Sequence, residues 1–378
     1  MTGNVTKMEI NLGHLLHNYQ QLVQYVAPAE VVPVIKSEAY GHGAVPVAKE
    51  LQAAGCKHMA IALVDDGIQL RQAGIRGEIM VLGVTLPEQF TTLAAYELTP
   101  SLGTLDSLRA WATLARSLGR QLPFHLKVDI GLGRLGFLPE QAEEVLATLR
   151  ELPAIRLRGI SSHLSDPEAS EEHNRCEFER FQRFCQTLVA EFPQASRHIA
   201  ASEALLRYPQ MFLDLVRVGG LLYGFDYDYP TTLDLKPVLS YTSKVGQVKW
   251  LPSGWGLGYG VERQLKQATR VALLPLGWSD GLSKTHIGRG RALIRGQFAT
   301  LIGICTDFSM FDVTHIKDVA VGDEVVLVGK QADKQQTIMQ LAHAGGMSAS
   351  ELLGSTALRV ARIYTKNGEA QRKLSILS

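Results

Sequence analysis

A lysine follows an apolar run near the start of the chain, and two glycines lie shortly after it. The run Val31–Ile35 is mostly β-branched, which predicts a short strand buried on both faces. Lys36 ends this strand, and Gly41 and Gly43 let backbone approach a ligand closely. Burial would lower the pKa of the Lys36 amine and leave it free to act as a nucleophile or base. Taken alone, a lysine whose ammonium reaches solvent is the more ordinary interpretation.

Other residues with useful chemistry also stand at the ends of apolar runs. They are Lys127, Asp129, Arg134, His163, Ser202, Arg217, Gly219 and Gly220. A single histidine or serine in such a place often only satisfies local backbone groups. Together, however, they suit an anionic, aromatic ligand that carries a carbonyl group. Arginine and glycine amides would bind its phosphate and ring, and the lysine would form an imine.

The elements that position these residues alternate between short apolar runs and helix-like segments. An amphipathic helix is predicted over Leu12–Val26, and eight strand candidates follow between Val31 and Gly220. Eight strands alternating with helices is the count of a (β/α)8 barrel, in which the active site lies at the carboxyl ends of the strands. An open doubly wound sheet is the alternative.

The pattern of predicted secondary structure changes after Gly224. Residues 226–230 are predicted to form a connector, and the following chain is rich in short β runs and turns, with one helix near residues 336–344. We therefore predict an α/β protein with a TIM-like barrel over residues 1–230 and a mostly β domain over residues 235–378. Residues 1–11 are a candidate to pair with the β domain.

Composition narrows the class of protein. The formal net charge of +1 gives no general attraction to nucleic acid, and no apolar run is long enough for a membrane span. The four cysteines are scattered with no Cys-x-x-Cys spacing, which indicates reduced thiols in a cytoplasmic protein without a metal site.

The run Gly131–Gly136 matches the Gly-x-Gly-x-x-Gly dinucleotide fingerprint and follows a strand. That fingerprint requires a helix to begin within the glycines, so that its N-terminus meets the pyrophosphate. Here Pro139 is the expected first helical residue, and the next strand ends on His163 instead of an acidic residue. We therefore interpret this run as a loop that does not bind a nucleotide.

The chain resembles the alanine racemase family of fold-type III pyridoxal 5′-phosphate enzymes over nearly its whole length. The matching stretches are Val34–Lys36 with Ala39–Gly43, His125–Asp129 with Gly133–Gly136, Ser162–His163, Arg217–Gly219 with Leu222–Gly224, Leu276–Gly277, Asp280–Gly281, Cys305 with Asp307, and Arg359–Tyr364.

The resemblance implies a cofactor, a set of site residues and a homodimer with shared active sites. Lys36 would carry pyridoxal 5′-phosphate as a Schiff base and then act as a catalytic base. Arg217 would face the pyridine nitrogen and keep it unprotonated, because arginine does not give up its proton at neutral pH. Arg134 and Thr306 would lie on the side of a small amino-acid substrate. Lys127 stands where relatives often carry a carbamylated lysine. The remaining cofactor contacts would come from Tyr40, His163, Ser202, Gly219, Gly220 and Tyr364.

One departure from the family bears directly on catalysis. The second base of the family is a tyrosine of a Gly-Tyr-x-Asp-Gly motif supplied by the partner subunit, and this chain has Trp278 at that position. An indole N–H donates hydrogen bonds but is not a usable base. Thr306, Ala201, Ile130 and Glu38 also replace residues that are usual in the family.

Three hypotheses therefore remain. The chain is a racemase with a replacement second base, such as Tyr259, Glu38 or water. Alternatively, it catalyses a lyase-type reaction with Lys36 alone, such as retro-aldol cleavage, decarboxylation or elimination. The third hypothesis is a protein that binds the cofactor without turnover.

Overall fold

The computed structural model describes residues 5–259, 264–366 and 368–374. The ends of the predicted domains, residues 1–4 and 375–378, lie outside the described residues. Among the helices that the structure describes, none is long and apolar enough to cross a bilayer.

Eight parallel strands form a closed barrel in the N-terminal half, as predicted. Strand β1 (Lys7–Asn11) comes first in the chain and lies outside the barrel. The barrel strands are β2 (Glu30–Pro33), β3 (His58–Ile61), β4 (Glu78–Val81), β5 (Leu98–Leu102), β6 (Leu122–Lys127), β7 (Ile155–Ser161), β8 (Ser196–His198) and β9 (Leu215–Val218). Strands β3 to β8 pair in sequence order, and β2 pairs with β9. Single bridges, Val34 to Ala60 and Ala201 to Arg217, join these two sheets into a ring.

Helices cover the outside of the barrel. They are Leu12–Val26, Ala44–Ala53, Val64–Gln72, Phe90–Ala95, Leu105–Ser117, Ala142–Arg150, Glu171–Val189 and Ser202–Arg207, with 3-10 turns at Pro87–Gln89, Pro139–Gln141, Pro209–Met211 and Gly220–Tyr223. The helix Leu12–Val26 has the predicted bounds. It begins after Asn11, whose side chain accepts a hydrogen bond from the His14 N–H at 3.0 Å.

The C-terminal domain is mostly antiparallel β structure. Its strands are β10 (Leu239–Lys244), β11 (Gln247–Leu251), β12 (Thr269–Leu274), β13 (Arg291–Ile294), β14 (Gln297–Ile304), β15 (Ser309–Asp312), β16 (Glu324–Gln331), β17 (Lys334–Gln336), β18 (Ala361–Lys366) and β19 (Glu369–Leu374). Strand β1 lies between β10 and β18 in this sheet, so the N-terminal residues join the second domain before the chain enters the barrel.

The second domain contains one helix more than the sequence predicts. The predicted helix is present as Ile338–Ala344, and a second one covers Ala349–Gly354. Ser348 and Glu351 form a capping box at its start, with each side chain bonded to the other residue's backbone N–H. 3-10 turns at Trp278–Asp280 and Lys284–His286 complete the domain.

The backbone directly after Lys36 adopts an unusual conformation. Ser37, Glu38, Ala39 and Tyr40 all have φ angles of 52–53°, so they form a left-handed turn. Such a conformation costs about 1–2 kcal/mol for each non-glycine residue. The turn is anchored at its far end, where Gly43 has a φ of 93° and lies directly against the hydroxyl of Tyr364 in β18.

We expect Gly43→Ala to lower the free energy of unfolding by about 2–4 kcal/mol, because the new methyl group meets Tyr364 and the positive φ is strained. Gly74 is a suitable control, since it has a φ of 87° and an added Cβ would meet nothing within 4 Å. Gly74→Ala should cost only about 1 kcal/mol. Chemical denaturation measures both, and equal losses would show that the contact with Tyr364 contributes nothing.

Candidate active site

A cavity of about 500 Å³ opens at the carboxyl ends of the barrel strands. It brings together most of the residues that the sequence singles out, which are Lys36, Tyr40, Lys127, Arg134, His163, Ser202, Arg217, Gly219 and Gly220. A larger cavity of about 660 Å³ lies between the barrel and the β domain, but none of these nine residues lines it. The cavity at the strand ends is therefore the candidate active site.

Lys36 lies in this cavity immediately after the bridge between Val34 and Ala60. Its Nζ is 5.8 Å from the centre of the Tyr40 ring. Burial, and then the positive charge of Arg134, lower the pKa of Lys36. A larger fraction of this amine is therefore neutral at neutral pH than for an exposed lysine, which favours attack on a carbonyl.

Hydroxyl groups and backbone amides converge at another wall of the cavity. The Ser202 Oγ accepts hydrogen bonds from the N–H of Gly219 at 3.1 Å and of Leu221 at 3.4 Å. A Cβ on Gly219 would lie 2.8 Å from the Tyr40 hydroxyl, and one on Gly220 would overlap the hydroxyl of Tyr227. Only glycine therefore permits this approach of two phenol groups to the backbone. Such a group of N–H and O–H donors suits an oxyanion.

Tyr227 is a site residue that sequence reasoning does not identify. It belongs to the segment 226–230, which the sequence pattern marks only as a connector between domains. The repeated tyrosines of Asp226–Pro230 are the available signal, since a polar linker has no need of buried aromatic side chains.

Arg217 lies at the floor of the cavity with only 4% of its surface exposed. Its guanidinium donates to the carbonyls of Ser162 at 2.6 Å and Ile199 at 3.0 Å, and to the Nδ1 of His163 at 3.3 Å. Burial and the nearby Arg134 lower the pKa of Arg217 to about 10, so it stays charged at neutral pH. Burial and this charge hold the pKa of His163 well below its usual range, so the imidazole is neutral.

The loop that carries Arg134 is fixed by one carboxylate. Asp129 accepts hydrogen bonds from the backbone N–H groups of Gly131 and Gly133, both at 3.1 Å, and of Arg134 at 2.6 Å. Burial raises the pKa of Asp129, but these donors outweigh it and the pKa lies below its ordinary value. No helix begins within the glycines, and the following 3-10 turn starts at Pro139, so the geometry of the dinucleotide fingerprint is not present.

Lys127 adds a second amine to the cavity. Burial, and then the charge of Arg217, hold its pKa well below the usual range. Carbamylation requires a neutral amine, so this environment suits the modification that the resemblance implies. The modification itself stays a prediction.

Three predicted site residues do not line the cavity of their own chain. Tyr364 is 0% exposed within the sheet of the second domain, where it packs against Gly43. Its contact with a phosphate therefore stays a prediction, and Tyr227 supplies a phenol at the wall of the cavity. The other two, Trp278 and Thr306, lie on the second domain.

The segment around Trp278 is held rigidly, although 45% of the Trp278 surface is exposed. The backbone N–H of Trp278 donates to the Cys305 carbonyl at 3.1 Å. Arg359 binds both carboxylate oxygens of the buried Asp280, at 2.6 and 2.8 Å, and also Asp307 at 2.6 Å. Bidentate pairs of this kind fix geometry strongly. Trp278 and Thr306 therefore share a preorganised surface apart from the cavity.

Known proteins resemble this chain in both halves. Residues 10–226 match the N-terminal domain of alanine racemase, and residues 238–364 match its C-terminal domain. An alanine racemase from Carboxydothermus hydrogenoformans is 38% identical over 363 residues, which cover 94% of this chain and 98% of that protein. An alanine racemase from Clostridium novyi is 34% identical over 372 residues, covering 96% of this chain and 95% of that protein.

Solved structures agree with this result. The alanine racemase of Clostridium difficile 630 superimposes with a TM-score of 0.91 at 31% identity, and the match covers 100% of both chains. An alanine racemase from Bartonella henselae with covalently bound pyridoxal phosphate gives a TM-score of 0.87 at 25% identity, with 96% of this chain and 99% of that chain covered. The chain therefore belongs to the alanine racemase family of pyridoxal 5′-phosphate-dependent isomerases.

Proposed function

We propose that this protein moves the Cα proton of a small amino acid, with Lys36 as the residue that holds the cofactor and then accepts the proton. The observation that carries the proposal is that Lys36 lies in one cavity with Arg217 and with the amides of Gly219 and Gly220. The pKa of Lys36 is also lowered there. These residues provide an amine, a cation and an oxyanion site, the groups that a phosphorylated pyridine aldehyde requires.

The residues of the cavity fit pyridoxal 5′-phosphate. The Ser202 hydroxyl and the Gly219 amide now bond to each other, and a phosphate could accept from both, with Tyr40 and Tyr227 beside it. When bound, the cofactor withdraws electrons from Cα and so acidifies its hydrogen. Arg217 would donate a hydrogen bond to the pyridine nitrogen without giving up its proton, and His163 would pack near the ring as a neutral group.

The substrate side of the cavity favours a small amino acid. Arg134 lines the cavity and can bind a carboxylate. A volume of about 500 Å³ must hold the cofactor as well, so little room is left for a long side chain.

We propose that the active form is a homodimer with shared active sites. Trp278 and Thr306 lie away from the cavity of their own chain, on a surface that carries further exposed apolar side chains at Phe308 and Leu358. A second copy that covers this surface would bring the partner's Trp278 to the cavity. Four cysteines without disulfide bonds agree with a cytoplasmic protein.

Tyr259 is the preferred replacement for the second base. Its side chain is 83% exposed, and it follows Gly258, where a Cβ would lie 3.6 Å from the Sγ of Cys305. The Cys305 carbonyl also accepts a hydrogen bond from the backbone N–H of Trp278, so Tyr259 and Trp278 lie in the same region of the second domain. Glu38 is a poor candidate, because its carboxylate accepts from the Ala44 N–H at 3.0 Å and from the Gln69 amide at 3.2 Å.

The lyase-type reaction is the second candidate function. The observation in its favour is Trp278, because an indole cannot accept a proton on the face of Cα opposite Lys36. Such a reaction requires a base on only one face, and Lys36 supplies it.

Two lysines line the cavity, and we expect only Lys36 to hold the cofactor. The purified protein should be yellow after incubation with pyridoxal 5′-phosphate, and borohydride should fix the label on Lys36 in a peptide map. Lys36→Met should abolish the label, whereas Lys127→Met, which removes the other buried amine, should retain it. A label found on Lys127, or a colourless protein, would contradict the assignment.

Exchange of the Cα hydrogen in deuterated water distinguishes the reactions. For a racemase we expect exchange of the Cα hydrogen together with inversion of L- and D-alanine. NMR measures the exchange, and chiral chromatography measures the inversion. Tyr259→Phe should retain exchange from one enantiomer but reduce inversion by about 100-fold, the usual contribution of a general base. Release of an aldehyde or carbon dioxide would establish the lyase reaction. The absence of exchange with every small amino acid would leave a protein that binds the cofactor without turnover.

Restoring a phenol at position 278 should raise alanine racemisation. We expect Trp278→Tyr to increase kcat by about 10–100-fold, because it supplies a proton donor and acceptor at the family's position. Trp255→Tyr is the matched control, since Trp255 is an exposed tryptophan of the same domain, and it should leave kcat unchanged. An equal effect of both changes would show that Trp278 is not what limits racemisation.

A further inference from the structure

Arg217 is a buried cation whose direct hydrogen bonds all end on neutral groups. Its acceptors are the carbonyls of Ser162, His198 and Ile199 and the ring nitrogens of His163 and His198. Within the described part of the chain, no carboxylate forms an ion pair with it. Buried charges in proteins are normally balanced by an opposite charge. The structure therefore raises the question of which anion balances Arg217.

A line of side chains leads from Arg217 through the interior of the barrel to Glu78. The Arg217 guanidinium contacts His198 Nδ1 at 2.8 Å, and His198 Nε2 lies 2.9 Å from His125 Nδ1. His125 Nε2 lies 3.5 Å from the Oε1 of Glu78, which is longer than an ordinary hydrogen bond. Both histidines are buried, and β9, β8, β6 and β4 each contribute one member.

The chemistry of arginine fixes the direction of every hydrogen bond in this line. Because a guanidinium only donates, His198 Nδ1 must be an acceptor. The neutral imidazole then carries its hydrogen on Nε2 and donates it to His125 Nδ1. His125 in turn carries its hydrogen on Nε2, which faces Glu78. Two hydrogen bonds therefore lead from a permanent cation to a histidine N–H, which faces the Glu78 carboxylate at 3.5 Å.

Neighbouring residues of the barrel also pack against this line of side chains and bind its end. A Cβ on Gly159 in the neighbouring strand β7 would lie 2.5 Å from His125 Nδ1, so the pair of histidines requires a glycine there. Glu78 begins β4 at the opposite end of the barrel from the cavity, and 11% of its side chain is exposed. The Oε2 of Glu78 lies 3.0 Å from His58 Nδ1 and 3.7 Å from Arg158. Burial raises the pKa of Glu78, but its contacts with His125 and His58 outweigh this effect and keep it ionised.

We propose that Glu78 is the counter-ion of Arg217, coupled to it through His125 and His198, and is thus a positioning residue for the active site. The carboxylate touches neither the cavity nor the guanidinium. It stabilises the charge of Arg217 and the orientation of the His198 lone pair that receives its N–H. With the cofactor bound, Glu78 would help Arg217 to keep the pyridine nitrogen unprotonated. This part of the inference rests on the proposed function.

A double-mutant cycle in the cofactor-free full-length protein tests the coupling. Glu78→Gln removes the charge but keeps the size and an acceptor oxygen, and Arg217→Met removes the cation. If the two charges balance each other, Glu78→Gln should raise the unfolding equilibrium constant at least about tenfold more when Arg217 is present than in Arg217→Met. Additivity within about twofold would overturn the proposal.

A second cycle provides the control. Glu30 contacts the same His58, at 3.3 Å, but lies outside the line to Arg217. Glu30→Gln and Arg217→Met should therefore be additive. A coupling as large as that of Glu78 would show a general effect of negative charge at this end of the barrel, and would also overturn the specific role of Glu78.

Nitrogen-15 NMR of histidine-labelled wild-type protein gives a test that needs no variant. We expect His198 and His125 each to carry a hydrogen on Nε2 and to accept a hydrogen bond on Nδ1. A hydrogen on His198 Nδ1 would break the line and refute the proposal. Both measurements are made without pyridoxal 5′-phosphate, so a failure to bind the cofactor would contradict the proposed function and leave the coupling intact.

Discussion

The burial of the Arg217 charge is the constraint on which the active site depends. The guanidinium can lie in the barrel only because strands β7 and β8 end beside it, where the carbonyls of Ser162 and Ile199 have no strand partner and can accept its N–H groups. This cation contributes to the lowered pKa values of Lys127 and His163. Burial is the larger cause of both shifts, and the Arg217 charge adds to it. The lowered pKa of Lys36 comes from burial and then from Arg134, so burial and positive charge together favour a reactive amine and a neutral imidazole in the cavity.

The two halves of the candidate site are built in different ways. The cofactor half lies within one barrel, where β strands fix Lys36 and Arg217 and a left-handed turn follows the lysine. The strain of that turn is offset by its burial against the second domain, where Arg362 donates to the Gly41 carbonyl at 3.0 Å. The segment around Trp278 is instead fixed within the β domain by Arg359. In the proposed homodimer, this fixed segment would lie at the cavity of the partner subunit.

The sequence predicts the barrel and most of its polar strand ends because hydrophobic periodicity reports burial directly. It locates Lys36, His163 and Arg217 in one place, since the carboxyl ends of parallel strands meet at one end of a barrel. It does not reveal the contact of Tyr364 with Gly43, because a strand pattern does not tell which neighbour a buried side chain meets. Tyr227 escapes sequence reasoning because its role depends on how the segment after Gly224 folds back over Gly220.

The role proposed for Glu78 could not be predicted from the sequence pattern. Residues at the amino ends of barrel strands usually contribute to stability, so the sequence pattern gives Glu78 and His58 no functional meaning. Their importance arises only in three dimensions, where alternate residues of several strands point into the same interior.

Trp278 has an ordered local structure but a side chain that cannot act as a base. An aromatic residue of similar size preserves the turn, and the clamp of Arg359 on Asp280 holds it as firmly as a catalytic residue requires. Position 278 thus holds an oriented aromatic side chain that has no oxygen to accept a proton. The racemisation proposed above therefore requires a second proton acceptor other than Trp278, because an indole cannot accept the proton. This leaves the barrel as it is, because the hydrogen bonds of Arg217 with Ser162 and of Ser202 with Gly219 join barrel residues to one another.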